Sequence, residues 1–103
     1  DYVEAMWSML QQDTPGEYVI ATGRTATIRE FLDIAFGVVG IDDWSSYVEV
    51  DARFKRPSDL TYLRGNSEKA QKELDWKPRT SLEELVRLMI DSDVELVKRT
   101  ECR

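Results

Sequence analysis

Apolar side chains recur every three or four residues in four stretches of the chain, the spacing that places them on one face of an α-helix. The pattern predicts helices over residues 2–12, 28–39, 67–74 and 82–98. The second and the fourth begin with a capping box, in which a hydroxyl residue and a glutamate three positions later bond each other's backbone amides. These boxes are Thr27-Ile28-Arg29-Glu30 and Ser81-Leu82-Glu83-Glu84.

Individual residues indicate where these helices end and which of their side chains face inward. Gly40 is placed to end the second helix and Asn66 to cap the third, in which Ala70 and Leu74 should face inward. The fourth helix has the longest apolar stripe, which we expect to be core, the alternative being a surface for a partner. The stripe comprises Leu82, Leu85, Val86, Met89, Ile90, Val94 and Val97.

Three other runs have the β-prone composition of short strands. They are Tyr18–Thr22, Tyr47–Asp51 and a shorter run, Leu60–Leu63, which also fits a turn. Trp44, in the loop before the second run, is expected to pack against the protein. Neither a repeat nor a linker divides the sequence, so we predict one α/β domain over residues 1–103, with a few short strands and about four helices.

Composition excludes several classes of function. The 103 residues are 42% hydrophobic and 33% charged, which is typical of a folded domain. A net charge of −6 argues against binding to nucleic acid. No apolar run approaches the roughly 18 residues of a membrane span, so no membrane contact is expected.

The residues at the two ends of the sequence indicate a cellular compartment and the relation of this chain to a longer protein. The lone cysteine, Cys102, has no internal partner for a disulfide, which fits a reducing cytoplasm. Asp1 begins in the middle of a helical pattern, with no initiator methionine and no signal-peptide layout. We therefore expect this chain to be a piece of a longer protein.

Several catalytic and cofactor patterns are missing. The five glycines form neither the G-x-G-x-x-G of a dinucleotide-binding turn nor a P-loop. No tyrosine is followed four residues later by lysine, so a Tyr-x-x-x-Lys proton-transfer pair is absent. Without histidine, and with one cysteine, the usual metal sites are also excluded. We predict no catalytic, cofactor-binding or metal-binding residue in this chain.

The segment Arg53–Asp59, here called the basic loop, has three cations within four residues, and its part Arg56-Pro57-Ser58-Asp59 is the best binding candidate. Arg56, held beside Pro57, offers two parallel donors that suit a diphosphate. The carboxylate of Asp59 can accept hydrogen bonds from ribose hydroxyls. By themselves, the residues Arg56-Pro57-Ser58-Asp59 fit an ordinary solvated turn better than a binding site, and on this evidence alone we favour the turn.

The neighbouring cations also have two interpretations. Arg53, Lys55 and Arg64 either strengthen a positive field around a phosphate or are ordinary charges on an exposed strand. The second interpretation needs no ligand, and we favour it.

Longer motifs extend on both sides of the basic loop. They are Asp1-Tyr2-Val3-Glu4-Ala5-Met6-Trp7, Tyr18-Val19-Ile20-Ala21-Thr22-Gly23, Tyr47-Val48-Glu49-Val50-Asp51 leading into the loop, Leu63-Arg64-Gly65-Asn66-Ser67-Glu68-Lys69-Ala70 and Leu74-Asp75-Trp76-Lys77-Pro78. In this order and spacing they resemble the C-terminal part of GDP-mannose 4,6-dehydratases, which are extended short-chain dehydrogenase/reductase enzymes. The likeness covers nearly all of the chain.

The resemblance implies a fold and an activity. The family has an N-terminal Rossmann domain that binds NADP and a smaller C-terminal α/β domain that binds the sugar nucleotide, and this chain resembles most of the second. These lyases, which act in GDP-fucose biosynthesis, convert GDP-mannose to GDP-4-keto-6-deoxymannose. NADP takes a hydride from C4 of the sugar, water is eliminated across C5 and C6, and the hydride returns to C6.

The resemblance also implies roles for two residues, a cellular location and an oligomeric state. Arg56 would bind the GDP portion through a phosphate, and Asp59 the ribose, although the family usually has glutamate at Asp59 and an aromatic residue at Lys55. The full-length protein would be a cytoplasmic homodimer or homotetramer, and the isolated piece would be inactive. Two alternatives stay open: another nucleotide-sugar dehydratase, epimerase or reductase of the same superfamily, and a non-catalytic interaction module.

Overall fold

The structure, a computed structural model, describes residues 1–101, so Cys102 lies outside the described residues. Its helices are α1 (Tyr2–Leu10), α2 (Ile28–Val38), α3 (Glu68–Glu73) and α4 (Leu82–Glu101), and a single 3₁₀ turn covers Ala52–Phe54. The four predicted helices are confirmed, with ends close to those predicted. Within the described part, none of them is long and apolar enough to cross a membrane.

Both predicted capping boxes are formed. The hydroxyl of Thr27 accepts from the backbone N–H of Glu30 (3.1 Å), whose carboxylate accepts from the N–H of Thr27 (3.0 Å). Ser81 and Glu84 make the same reciprocal pair at 3.2 and 3.0 Å. Each box satisfies two amides that the first turn of a helix leaves without a partner, which fixes where α2 and α4 begin.

α2 ends at the predicted glycine. Gly40 has a φ of +81°, in the left-handed region that favours glycine. The N–H of Ile41 bonds the C=O of Phe36 (2.9 Å), and that of Gly40 bonds the C=O of Gly37 (3.1 Å). This pair of bonds is the Schellman motif, which closes the last turn of the helix.

α3 begins one residue later than predicted, so Ser67, and not Asn66, occupies the N-cap position. The side-chain oxygen of Asn66 accepts from the N–H of Glu68 (3.0 Å) at the start of the helix. α3 ends at Glu73 with Leu74 as its C-cap, and the next residue, Asp75, has a left-handed φ of +51°. Aspartate tolerates this conformation better than most residues, which allows a sharp stop.

The predicted strands are wrong, because no strand occurs among residues 1–101. Tyr18–Thr22 and Leu60–Leu63 are irregular, and Tyr47–Asp51 begins in a turn in which the N–H of Tyr47 bonds the C=O of Trp44 (2.9 Å). β-prone composition favours an extended backbone, but a strand also requires a neighbouring backbone in register. The described part is therefore helical with irregular connections, not α/β.

The chain forms two compact units, each built from two separate stretches. Unit 1 consists of Asp1–Thr25 and Leu60–Thr80. Met9, Tyr18 and Ile20 pack against its core. The buried members of that core are Ala5, Ala70, Leu74 and Trp76. Ala70 and Leu74 were predicted to face inward, and their burial confirms this.

Asp1 joins the two stretches of unit 1. Its backbone C=O accepts from the indole N–H of the buried Trp76 (2.8 Å). Its carboxylate accepts from the backbone N–H groups of Arg79 (3.1 Å) and Thr80 (2.9 Å). The start of α1 is thereby fixed to the turn that follows α3.

The irregular segments of unit 1 also meet closely at a glycine. A Cβ at Gly65 would lie only 2.4 Å from the Cβ of Ala21, so no larger residue fits without a shift. Nearby, the hydroxyl of Thr25 donates to the C=O of Leu63 (2.7 Å). The segments pack side by side without forming a ladder of hydrogen bonds.

Unit 2 consists of Ala26–Asp59 and the chain from Ser81 onward. α2 packs on α4, and Ala35 of α2 and Val86 of α4 are buried. α2 has 11 residues and α4 has 20, and the end of α2 lines a cavity with the second half of α4, at Ile90, Val94 and Lys98.

The core predicted for α4 is only partly formed. Val86 is buried, and Leu82 and Ile90 are half-buried. The other members of the stripe are exposed: Leu85, Met89, Val94 and Val97. The core prediction is therefore confirmed for part of the stripe and wrong for the rest.

An aromatic cluster completes unit 2. Phe36 stacks on Trp44 (6.4 Å between ring centroids) and on Tyr47 (5.8 Å). The indole N–H of Trp44 donates to the carboxylate of Asp33 (2.6 Å), and the guanidinium of Arg29 lies 5.8 Å from the ring centroid. Trp44 is half-buried, which confirms that it packs against the protein.

Candidate sugar-nucleotide site

Asp51 shapes the start of the basic loop. It is the N-cap of the 3₁₀ turn, where its Oδ1 accepts from the backbone N–H of Arg53 (2.9 Å). Its two oxygens also accept from the guanidinium of Arg53, with Nη2 at 2.6 Å and Nε at 3.0 Å from Oδ2. The residue therefore holds both the backbone and the side chain of Arg53.

This pairing changes the electrostatics of the loop. The side-chain bonds from Arg53, followed by its backbone bond, lower the pKa of Asp51, and the same pair raises the pKa of Arg53. The guanidinium also lies 5.9 Å from the ring centroid of Phe54. One positive charge of the loop is thus matched by a negative charge. The interpretation of Arg53 as an ordinary exposed charge fits this geometry.

Arg56 is in a different situation. Its side chain is exposed, and within residues 1–101 it forms neither a hydrogen bond nor an ion pair. Lys55, just before it, is exposed and has an extended backbone with ψ of 125°. The chain then bends at Pro57 and Ser58. Arg56 is therefore a guanidinium with all of its donors available to a ligand.

The structure places Asp59 on the same exposed loop, three residues after Arg56. Arg64, by contrast, belongs to unit 1. There it lines an open cleft of about 460 Å³ together with other residues of that unit. The cleft is formed by Thr22, Gly23, Arg64, Gly65, Asn66, Ser67, Glu68 and Gln71. The two predicted binding residues thus share one loop of unit 2, and Arg64 belongs to unit 1.

Unit 1 also brings a tyrosine and a lysine together. The ammonium of Lys69 lies 4.9 Å from the ring centroid of Tyr18 and donates to the C=O of Glu17 (2.9 Å). Burial and, after it, a hydrogen bond with Glu73 raise the pKa of the Tyr18 hydroxyl. A tyrosine that acts as a base needs the opposite change. This arrangement is a cation–π contact, and we assign it no catalytic role.

A metal-binding group is also missing from the part of the chain that the structure describes. No group of histidine, cysteine, aspartate or glutamate residues there is arranged to hold a metal ion. Sequence reasoning missed the Asp51–Arg53 pair, although the D-x-R spacing at the predicted end of a strand was a usable signal. Aspartate at such a position commonly accepts from the backbone two residues later.

Comparison with known proteins identifies the family. Residues 1–89 match the family model described as GDP-mannose 4,6 dehydratase. The chain is 50% identical over 99 residues to GDP-mannose 4,6 dehydratase 1 of Arabidopsis thaliana, covering 96% of this chain and 27% of that protein. It is 40% identical over 114 residues to GDP-mannose 4,6 dehydratase of Homo sapiens, covering 95% of this chain and 31% of that protein.

The matched residues include the basic loop with Arg56 and Asp59, and also Arg64. The chain belongs to the GDP-mannose 4,6-dehydratase family. It spans about a fifth to a third of the length of the curated relatives that it matches. The resemblance noted in the sequence is confirmed at the level of the family.

Proposed function

We propose that this chain is the sugar-nucleotide-binding part of a GDP-mannose 4,6-dehydratase, which converts GDP-mannose to GDP-4-keto-6-deoxymannose. The observation that carries the proposal is the exposed guanidinium of Arg56, which has no partner in residues 1–101 and lies in a loop that the family match includes. Arg53, the other arginine of that loop, is already bound to Asp51. The loop thus offers one arginine to an anion.

In this proposal Arg56 donates two parallel hydrogen bonds to the diphosphate of GDP-mannose. A guanidinium fork matches the spacing of phosphate oxygens, and Pro57 restricts the backbone beside it. Asp59 accepts from the hydroxyls of the ribose. Both residues bind the substrate at a distance from the sugar carbons that react, so they contribute orientation and not proton transfer.

The residues of this chain do not fit an NADP site. The glycines form no dinucleotide-binding turn, and the Tyr18–Lys69 contact does not provide a base. We assign the cofactor and the proton-transfer groups to sequence that the relatives have outside the matched segment. We further propose that the complete lyase is cytoplasmic and assembles as a homodimer or a homotetramer.

The test is Arg56→Ala in an enzyme of family length that carries this segment. The loss of a charged, bidentate hydrogen bond should raise KM for GDP-mannose by roughly tenfold to a hundredfold. Arg56→Lys, which keeps the charge and loses the fork, should raise KM less. Steady-state kinetics with GDP-mannose at saturating NADP would measure both.

Arg53→Ala is the matched control, because it removes an equal charge from the same loop. Arg53 is already bound to Asp51, so the variant should change KM by less than about threefold. If the two alanine variants raised KM equally, the cause would be the general loss of positive charge from the loop, and Arg56 would make no specific contact with the substrate. An unchanged KM in Arg56→Ala would remove this residue from the site.

A further inference from the structure

The outward side of α1 is apolar and uncovered. Val3, Met6, Trp7 and Leu10 lie on one side of the helix, at 76%, 61%, 65% and 82% exposure. We call this set the α1 outer face. The same spacing that predicts the helix places these side chains together. In the described structure they contribute almost nothing to the core.

The opposite side of α1 already has a partner. Ala5 is fully buried in the core of unit 1, and Met9 packs against that core. The helix therefore has two apolar sides, of which the one with the larger side chains is open. Glu4 is the one charged residue between Tyr2 and Leu10, so the outer face offers little to a charged surface.

The outer face is large for an exposed apolar patch. Since a fully exposed aromatic side chain presents roughly 150–250 Å², these four side chains together present on the order of 500 Å². The largest contiguous apolar patch on a typical soluble protein is roughly 300–600 Å², and it is often a contact surface. The size of the α1 outer face therefore fits a contact surface.

A second copy of the chain is the alternative cover. Two such faces would supply about 1,000 Å² of apolar area, so a stable dimer, which buries about 1,200–2,000 Å² in total, would also have to bury the polar surface around them. A surface of the same polypeptide needs less area, because the covalent link supplies a high effective concentration. The relatives provide that surface, since the matched segment is only 27–31% of their length.

We propose that the α1 outer face is an internal interface, covered by an apolar surface of the part of a full-length family member that lies outside the matched segment. The proposal rests on the proposed function only in taking this chain to be part of such a polypeptide. It predicts that Met6 and Trp7 are inaccessible to solvent there. Glu4, which lies on another side of α1, stays accessible.

Thiol labelling in the full-length enzyme tests the interface. Met6→Cys should react with a maleimide at least tenfold more slowly than Glu4→Cys, the matched control on the same helix. Mass spectrometry of the peptide that carries α1 identifies the labelled residue, so other cysteines do not interfere. Labelling in denaturant shows that both thiols are intrinsically reactive. Val3→Cys replaces Met6→Cys where the latter lowers the folded fraction seen by circular dichroism.

Equal labelling rates at the two positions would overturn the proposal. Protection that disappears on dilution to the monomer would also overturn it, because the cover would then be a second copy. Protection that is independent of concentration supports an internal interface. The labelling needs no turnover, so a protected outer face in an enzyme that does not convert GDP-mannose would reject the proposed function and keep the interface.

Discussion

At the scale of single residues, the two arginines of the basic loop differ because of one carboxylate. Asp51 lies two residues before Arg53 and binds it through three nitrogen atoms, counting the backbone amide. Arg56 has no acidic residue at the same spacing, since Phe54 stands there. The difference in availability therefore follows from the sequence around each arginine, although the spacing alone did not say which side chains would meet.

Asp51 should titrate below its ordinary range. Because Arg53 stabilises the charged form, the pKa in the folded protein should lie under the ordinary value of about 3.9, and Arg53→Ala should return it toward that value. Carboxyl-carbon NMR titration measures both. A folded pKa below the unfolded one stabilises the protein above about pH 4, and this contribution is lost as the pH falls through the lowered pKa. An unshifted Asp51 would contradict the pairing.

How far the site could be predicted also depends on the residue. Arg56 is exposed, which fits both a binding residue and a solvated turn, so the roles of Arg56 and Asp59 stay predictions. The surroundings of Arg64 were not predictable, because they depend on residues more than 40 positions earlier, such as Thr22 and Gly23. Local patterns carry no information about contacts over such a separation.

At the scale of elements, local signals found the helices and failed for the strands. A capping box or a terminal glycine acts within a few residues, so Thr27, Ser81 and Gly40 fix helix ends from sequence alone. A strand depends on a second backbone elsewhere in the chain. The β-prone segments of unit 1 do approach one another at Gly65, but by side-by-side packing.

Gly65→Ala should destabilise the protein by about 1–3 kcal/mol, because its Cβ would overlap that of Ala21 at 2.4 Å. Gly37→Ala is the matched control: nothing lies within 4 Å of its Cβ, and alanine should stabilise α2 by about 0.5–1 kcal/mol. Urea denaturation compares the two. Adding Ala21→Gly should recover part of the loss, and a Gly65→Ala protein as stable as the parent would exclude the close approach.

At the scale of the whole molecule, the sequence predicted one domain, and the contacts group into two units. The grouping was not visible beforehand, because neither Thr25 nor Leu60 lies in a Pro- or Gly-rich linker. The family could be predicted, since its motifs are local runs in a fixed order. The apolar stripe of α4 was also visible in the sequence, but not which of its side chains stay exposed, because that depends on what packs against each of them.

The 103-residue chain by itself should convert no GDP-mannose when supplied with NADP. The physical reason is the lack of a dinucleotide-binding turn and of a proton-transfer pair, together with an open α1 outer face. Product formation would be followed by chromatography of the nucleotide sugars, with circular dichroism to show that the helices are formed. Turnover by a highly purified, folded sample would contradict the assignment of the catalytic groups to other sequence.

The bonds from Asp1 to Trp76, Arg79 and Thr80 have a consequence for biosynthesis. A ribosome makes the first stretch of unit 1, then a stretch of unit 2, before it returns to the residues that close unit 1. While residues 26–59 are being made, α1 lacks Ala70, Leu74 and Trp76 of its core and the N–H groups that donate to Asp1. The core side of α1 is then open to water, which exposes the growing chain to chaperones and to aggregation during this interval.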